Sequence, residues 1–228
     1  DLVVVVKVFD GKTVVTKVEG IANQEFNVPI SNQKLWSPDN PFLYDLEVML
    51  SKNDEMLDSV SSYFGMRKVS KEKDGDFQKL YLDNEFLFQM GPLDQGFWPD
   101  GLYTAPTDEA LKSDIEMIKA FGFNMVRKHI KVEPQRWYYW ADKLGVMVWQ
   151  DMPSTNSYTS NPQPIDQVAF KKELTSLVEN HWNSPSIVMV GVFNEFQGQH
   201  NTADLVVMVQ KLDPSPCAYT HLTVPAYP

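Results

Sequence analysis

Apolar positions follow two regimes along this chain. Up to residue 70 they come in short, partly alternating runs; from about residue 88 they come in turn as unbroken apolar runs and as stripes at helical spacing. The first pattern belongs to half-buried strands, the second to a sheet covered by helices on both faces. In the first region, residues 2–9, 13–19, 25–29, 43–51 and 56–67 read as strands. Asp10-Gly11-Lys12 and Asn53-Asp54 supply turns between neighbours. The fourth run puts Tyr44, Leu46, Val48 and Leu50 on one face and Asp45 and Glu47 on the other. Pro38 and Pro41 break the segment before it. Strands at this spacing predict an antiparallel sandwich.

Residues 70–76 are charged and read as an exposed join, and Asp83-Asn84 marks a further hairpin. Residues 88–91 then read as the first strand of the second region, ended by Gly91-Pro92. Thr107 is an N-cap followed by two acids, and Leu111, Ile115 and Ile118 recur at helical spacing up to Gly122. Residues 123–126 are a short buried strand, and Pro134, at the first helical position, opens a second helix that runs to Gly145. Residues 146–149 form a strand, 154–164 a long polar loop, 167–180 a helix, 187–192 a strand and 202–212 a fourth helix. Strand and helix alternating over short connections predict parallel strands with right-handed crossovers. Four such units amount to half of a barrel, whose full form takes ~250 residues. An open, doubly wound sheet is the alternative, but no Gly-rich phosphate loop follows the first strand.

The stretch SIVMVGVFNEFQ, residues 186–197, organises this region. Its apolar run is a strand buried on both faces, and Asn194-Glu195 stands just past its carboxyl end. Barrel enzymes keep their catalytic groups there. Composition narrows the partners. With 20 basic and 30 acidic residues the formal net charge is −10, which excludes a basic nucleic-acid-binding face and suits neutral ligands such as sugars. The single cysteine, Cys217, excludes an internal disulfide framework and a cysteine metal site. No apolar run reaches the ~18 residues of a membrane helix. The opening DLVVVVKVFD is no signal peptide; it reads as the middle of a strand, so the chain is expected to be a fragment.

Several motifs, in order, carry a resemblance. Leu35-Trp36-Ser37-Pro38 with Pro41-Phe42-Leu43-Tyr44, and then Phe64-Gly65-Met66-Arg67, resemble the end of the immunoglobulin-like domain of glycoside hydrolase family 2. Gly122-Phe123-Asn124-Met125-Val126-Arg127, Ala141-Asp142-Lys143-Leu144-Gly145, Trp149-Gln150-Asp151 and Asn194-Glu195 resemble that family's barrel strands. The resemblance implies a multidomain α+β chain, a partial antiparallel β-sandwich over 1–70 followed over 71–213 by an incomplete (β/α)8 TIM barrel of about four βα units, with an irregular tail over 214–228. It implies a retaining, exo-acting β-glycosidase in which Glu195 is the general acid/base and Asn194 bonds the sugar 2-hydroxyl. No match to the family's nucleophilic Glu is found, so this polypeptide alone is expected to be inactive.

Retaining hydrolysis needs two carboxyl groups ~5–5.5 Å apart, one to protonate the leaving oxygen and one to attack the anomeric carbon. Glu195 would need a raised pKa, which Phe193 or Phe196 would supply by desolvation. Arg127 and Asp151 are expected beside the substrate. His129 follows Lys128 where the family usually has Ser-His, and is a candidate for a subsite. Trp98, with Phe97 and Tyr103 in a polar loop, is a candidate stacking platform for a sugar ring. His129 and Glu133 could form half of a metal site, but no third ligand is placed, and no cofactor is expected. His181 reads as a helix-end cap. No fifth strand is read after Asp213-Pro214. The competing reading is a non-catalytic module binding carbohydrate or a partner chain. Two strand edges, beside 88–91 and 187–192, would be left unpaired, which predicts self-association measurable by light scattering.

Overall fold

The structure is a computed structural model that describes residues 2–53, 55–154, 165–194, 198–215 and 217–219. Strands β1 (Leu2–Asp10), β2 (Thr13–Ile21), β3 (Tyr44–Lys52) and β4 (Glu55–Phe64) form an antiparallel sheet in the order β2-β1-β3-β4. Its buried face carries Val6, Val8 and Tyr44, with Phe64 stacked on Tyr44 at 5.2 Å. Residues 25–29 are not a strand. Phe26 instead packs against Gly20 of β2, where an added Cβ would sit 2.4 Å from its ring, and joins Val28 and Ile30 over the sheet's core. A smaller sheet follows, β5 (Val69–Asp74), β6 (Phe77–Leu82) and β7 (Glu85–Phe86), in the order β5-β6-β7.

The second region is a parallel sheet ordered β12-β11-β10-β9-β8. Its strands are β8 (Leu93–Asp94), β9 (Met125–Lys128), β10 (Met147–Asp151), β11 (Ile187–Gly191) and β12 (Cys217–Tyr219). Helices α1 (Asp108–Ala120), α2 (Gln135–Leu144), α3 (Gln167–Asn180) and α4 (Thr202–Leu212) connect them. Val126, Val148 and Val190 of the strands pack against Ile115, Trp137, Leu174 and Val209 of the helices in one core. This is the sandwich-like sheet and partial parallel α/β barrel that the pattern predicts. No described helix is long and apolar enough to cross a membrane.

Four details differ from the sequence reading. The first barrel strand is Leu93–Asp94, not 88–91. Asn124 holds the earlier stretch through its side chain, which bonds Phe88 O and the Met90 amide, and Gly91 is so close to Met125 O that a Cβ would lie 1.7 Å away. Ladder pairing with β9 starts only past Pro92. The second strand runs two residues later than read, which places Arg127 and Lys128 inside it. Pro134 is the N-cap of α2 and not its first residue. A fifth strand, β12, does exist and pairs with β11 over Met189–Gly191, so the expected open edge at 187–192 is covered.

The two regions meet at the amino ends of the barrel strands. Trp36 is fully buried with Met125, Met147 and Val188, as an interior aromatic should be, and its Nε1 donates to Asp142 O at 2.7 Å. The Asp142 side chain, also fully buried, accepts from Tyr63 Oη at 2.8 Å and from the Ser186 amide at 2.9 Å. Arg67 donates to Pro185 O and Ile187 O, both at 2.7 Å. Gly145 ends α2 in the left-handed conformation, φ +76°, with Pro38 O so near that a Cβ would come within 2.5 Å. These contacts join the sandwich to the amino ends of the barrel strands.

Candidate active site

The carboxyl ends of β9, β10 and β11 bring three of the expected residues together. Arg127 projects from β9, Asp151 is the last residue of β10, and Asn194 stands three residues past β11. Arg127 forks onto Asp151, with Nε 3.2 Å from Oδ1 and Nη2 2.8 Å from Oδ2. The same Nη2 donates to Asn194 Oδ1 at 3.0 Å. A planar guanidinium on a carboxylate fixes both groups in angle as well as distance. Asn194 is thereby tied into β10 and β9, so the residue before Glu195 cannot swing freely. Glu195 itself, with Phe196 and Gln197, lies outside the described residues.

Asp151 is 3% exposed. Burial raises its carboxyl pKa above the ordinary value, opposed by the hydrogen bonds and charge of Arg127, by His129, and by the backbone amide of Ile130. Gly191 makes room for it, since a Cβ there would lie 2.5 Å from Asp151 Oδ1. The Arg fork leaves that carboxylate little freedom to give way. Asp151 therefore acts as an anchor for Arg127; a carboxylate held by a cation on its attacking lone pairs is a poor nucleophile.

His129 joins the rim from the other side. Its Nδ1 lies 3.0 Å from Gln95 Nε2, and its amide donates to Asp94 O at 2.8 Å. Glu133 is not a partner for His129. It is buried and accepts from Lys128 Nζ at 2.9 Å and Lys131 Nζ at 3.0 Å. Among the described residues no group of three His, Cys, Asp or Glu is placed to hold a metal. Trp98 closes a tight turn with Leu102, with backbone bonds of 2.7 and 3.0 Å, and packs against the main core with its Nε1 buried and without a hydrogen-bond partner among the described residues. Phe97 and Tyr103 stay exposed and meet edge to face at 5.4 Å. His181 caps α3 as read, with Nδ1 2.7 Å from Leu177 O. The residues that sequence reasoning passed over are Asp94, Lys128 and Lys131. A lysine in a charged stretch reads as exposed, and only the long-range pairing shows otherwise.

Residues 3–67 of the chain match the family described as Glycosyl hydrolases family 2, and residues 104–222 match that family's TIM barrel domain. The chain belongs to glycosyl hydrolases family 2. It is 30% identical over 189 residues to a putative beta-glucuronidase of Formosa agariphila, a match covering 81% of this chain and 22% of that protein. It is 29% identical over 197 residues to a beta-galactosidase of Leuconostoc mesenteroides subsp. mesenteroides, covering 82% of this chain and 18% of that protein. The chain thus spans about a fifth of the length of these curated relatives. Among solved structures, an FMN-binding beta-glucuronidase from Facaelibacterium prausnitzii L2-6 superimposes with a TM-score of 0.81 at 24% identity, over 96% of this chain and 34% of that one. A beta-D-glucuronidase of Dictyoglomus thermophilum gives 0.78 at 19%, over 96% and 39%. At these identities the two structures speak for the fold. The family itself is one of glycoside hydrolases, and the relatives carry β-glycosidase names.

Proposed function

We propose that these residues form the acid/base half of a retaining, exo-acting β-glycosidase site, and that the substrate is a glycoside of a β-linked sugar. Glu195 is the general acid that protonates the leaving oxygen and then the base that activates water. Asn194 bonds the sugar 2-hydroxyl, a contact that strengthens as positive charge grows at the anomeric carbon. Arg127 and Asp151 hold Asn194 in register, and His129 and Trp98 border the subsite. The observation that carries this reading is the Arg127 Nη2 to Asn194 Oδ1 bond, which anchors the chain one residue before Glu195 at the carboxyl end of β11. Asp94 and Asp151, the carboxylates that end β8 and β10, are both engaged by cations. The nucleophile is therefore assigned to barrel strands other than these.

On this reading the 228-residue chain alone does not cleave glycosides. Incubation with p-nitrophenyl β-glycosides is expected to release no nitrophenolate above the no-protein rate. Turnover by this chain that vanished on Glu195→Gln would sink the division of the two carboxylates. The second reading, a module that only binds carbohydrate or a partner chain, is supported by the same two engaged aspartates. It parts from the first in a chain that carries the whole barrel, which would remain inactive.

A further inference from the structure

The loop from β8 to α1 is closed by a single ammonium. Lys131, in the turn between β9 and α2, is 2% exposed. Its Nζ has three protons to donate, and three acceptors take them: Gly96 O, Tyr103 O at 3.0 Å and Glu133 Oε1 at 3.0 Å. Two of these are main-chain carbonyls at the two ends of the loop 96–103. Glu133 is shared with Lys128, whose Nζ also pairs with Asp94. Asp94 in turn accepts from the Gly96 amide at 2.7 Å. Gly96 sits at φ +64°, and a Cβ there would fall 2.3 Å from Glu133 Oε1 and 2.6 Å from Lys131 Nζ, so glycine lets the backbone come this close. Apolar side chains of the same volume often hold a core as well as buried charges do. They do not grip two carbonyls at once.

Between the gripped ends the loop is ordered by its own bonds. Trp98 and Leu102 exchange backbone bonds of 2.7 and 3.0 Å, Leu102 takes φ +52°, and the Thr104 amide donates to Gly101 O at 3.0 Å. Trp98 packs against the main core. The exposed rings are Phe97, 66% exposed, and Tyr103, 52% exposed, which meet edge to face at 5.4 Å. Lys131 Nζ lies 4.4 Å from the centre of the Tyr103 ring, so the same ammonium holds this residue by main chain and by side chain. The loop leaves the carboxyl end of β8, which pairs with β9 at Arg127 and Lys128.

We propose that Lys131 is a positioning residue that clamps the loop 96–103 shut, and that the ring pair so presented, Phe97 and Tyr103, is where the apolar face of a pyranose packs, with Trp98 as the loop's anchor in the core. A ring pair fixed before binding spares the ligand the cost of ordering it. The platform rests on the sugar-site reading; the clamp does not.

Hydrogen exchange and sugar binding by the 228-residue chain test the two parts separately. In Lys131→Met, Glu133 keeps Lys128, but Gly96 O and Tyr103 O lose their donor. The Trp98 and Leu102 amides are expected to exchange about 10-fold faster or more, while those of β9 and β10 keep the wild-type rate. Gly96→Ala leaves every charge in place and covers the case where Lys131→Met does not fold. Its Cβ drives the same loop end off the ammonium, and the same pattern is expected. Unchanged exchange in the loop, or equal acceleration in β9 and β10, overturns the clamp. For the platform the probes are methyl β-D-glucuronide and methyl β-D-galactoside, after the sugars in the relatives' names, followed by NMR. The ring protons of Phe97 and Tyr103 are expected to shift on binding, and Kd to rise about 10-fold in Lys131→Met and in Phe97→Ala. A response at Asn194 without one at Phe97 and Tyr103, or a Kd that Lys131→Met leaves unmoved, overturns the platform. Silence at every rim residue with both glycosides is failure of the sugar reading, and exchange still decides the clamp.

Discussion

Asp142→Asn is expected to leave the chain about as stable as wild type at pH 4 and to stabilise it by roughly 4 kcal/mol at pH 8. Asp142 is fully buried at the joint between the sandwich and the barrel. Desolvation pushes its carboxyl up to about 7, against the pull of the Ser186 and Tyr63 hydrogen bonds and the charge of Arg67. Tyr63 responds in kind: burial and the adjacent carboxylate raise its hydroxyl above the ordinary tyrosine value. The folded chain therefore binds the Asp142 proton more tightly than the unfolded chain, whose value is the ordinary 3.8. Between about 4 and about 7 the folded state holds more protons, so stability falls as pH rises through that window and then levels off. Each unit of difference is worth ~1.4 kcal/mol, and about three units separate the two states, which gives the figure above. Asparagine has nearly the shape of the protonated acid and does not ionise. Urea unfolding of both proteins from pH 4 to pH 8 checks this, and only the difference between the two curves matters. Parallel curves would show that Asp142 stays ionised, stabilised by Tyr63, Ser186 and Arg67 more than it is penalised by burial.

Arg127→Met is expected to destabilise by about 3 kcal/mol at pH 8, because it strips a buried carboxylate of its partner. The Asp151 side chain is 4% exposed and that of Arg127 23%, so water can replace the guanidinium only in part. The sign again follows from the proton. Without Arg127 the folded-state pKa of Asp151 climbs further above the unfolded one. The variant thus recovers relative to wild type as pH falls and Asp151 becomes neutral. Arg127→Lys keeps the charge but cannot fork onto Asp151 and reach Asn194 at once, so it falls between the two. Denaturant midpoints at pH 8 and pH 5 measure both. A deficit of the same size at both pH values would show that Arg127 contributes packing rather than charge.

These effects come from contacts that local sequence signals do not carry. The helices did show themselves locally. Thr107 and Asp166 cap α1 and α3 by accepting backbone amides, and Gly145 ends α2 in the conformation that glycine favours. The strand at Ile187–Gly191 was legible because an apolar run without alternation has few other homes. The stretch 88–91 read as the first barrel strand because it leads into Gly91-Pro92, yet the Asn124 side chain bonds Phe88 O and the Met90 amide. The fifth strand is three residues long and follows Pro214, too short for any periodicity to register. At the site, Arg127, Asp151 and Asn194 were legible as separate strand-end residues. Their union was not, since 24 and 67 residues separate the bonded pairs. Nothing local marks Ile130 for the left-handed conformation that it adopts, φ +47°.

Glu195 as the proton donor, one residue past the Arg127-bound Asn194, is tested most directly by a comparison of two leaving groups. In a chain that carries these residues within the complete barrel, Glu195→Gln should slow cleavage of a phenyl β-glycoside by ~100- to 10,000-fold, the worth of a positioned acid. A 2,4-dinitrophenyl glycoside departs without protonation, so its bond cleavage should be nearly unaffected, and added azide should restore turnover by replacing activated water. An equal loss on both substrates, with no rescue by azide, would contradict the account and assign Glu195 some other part in the site.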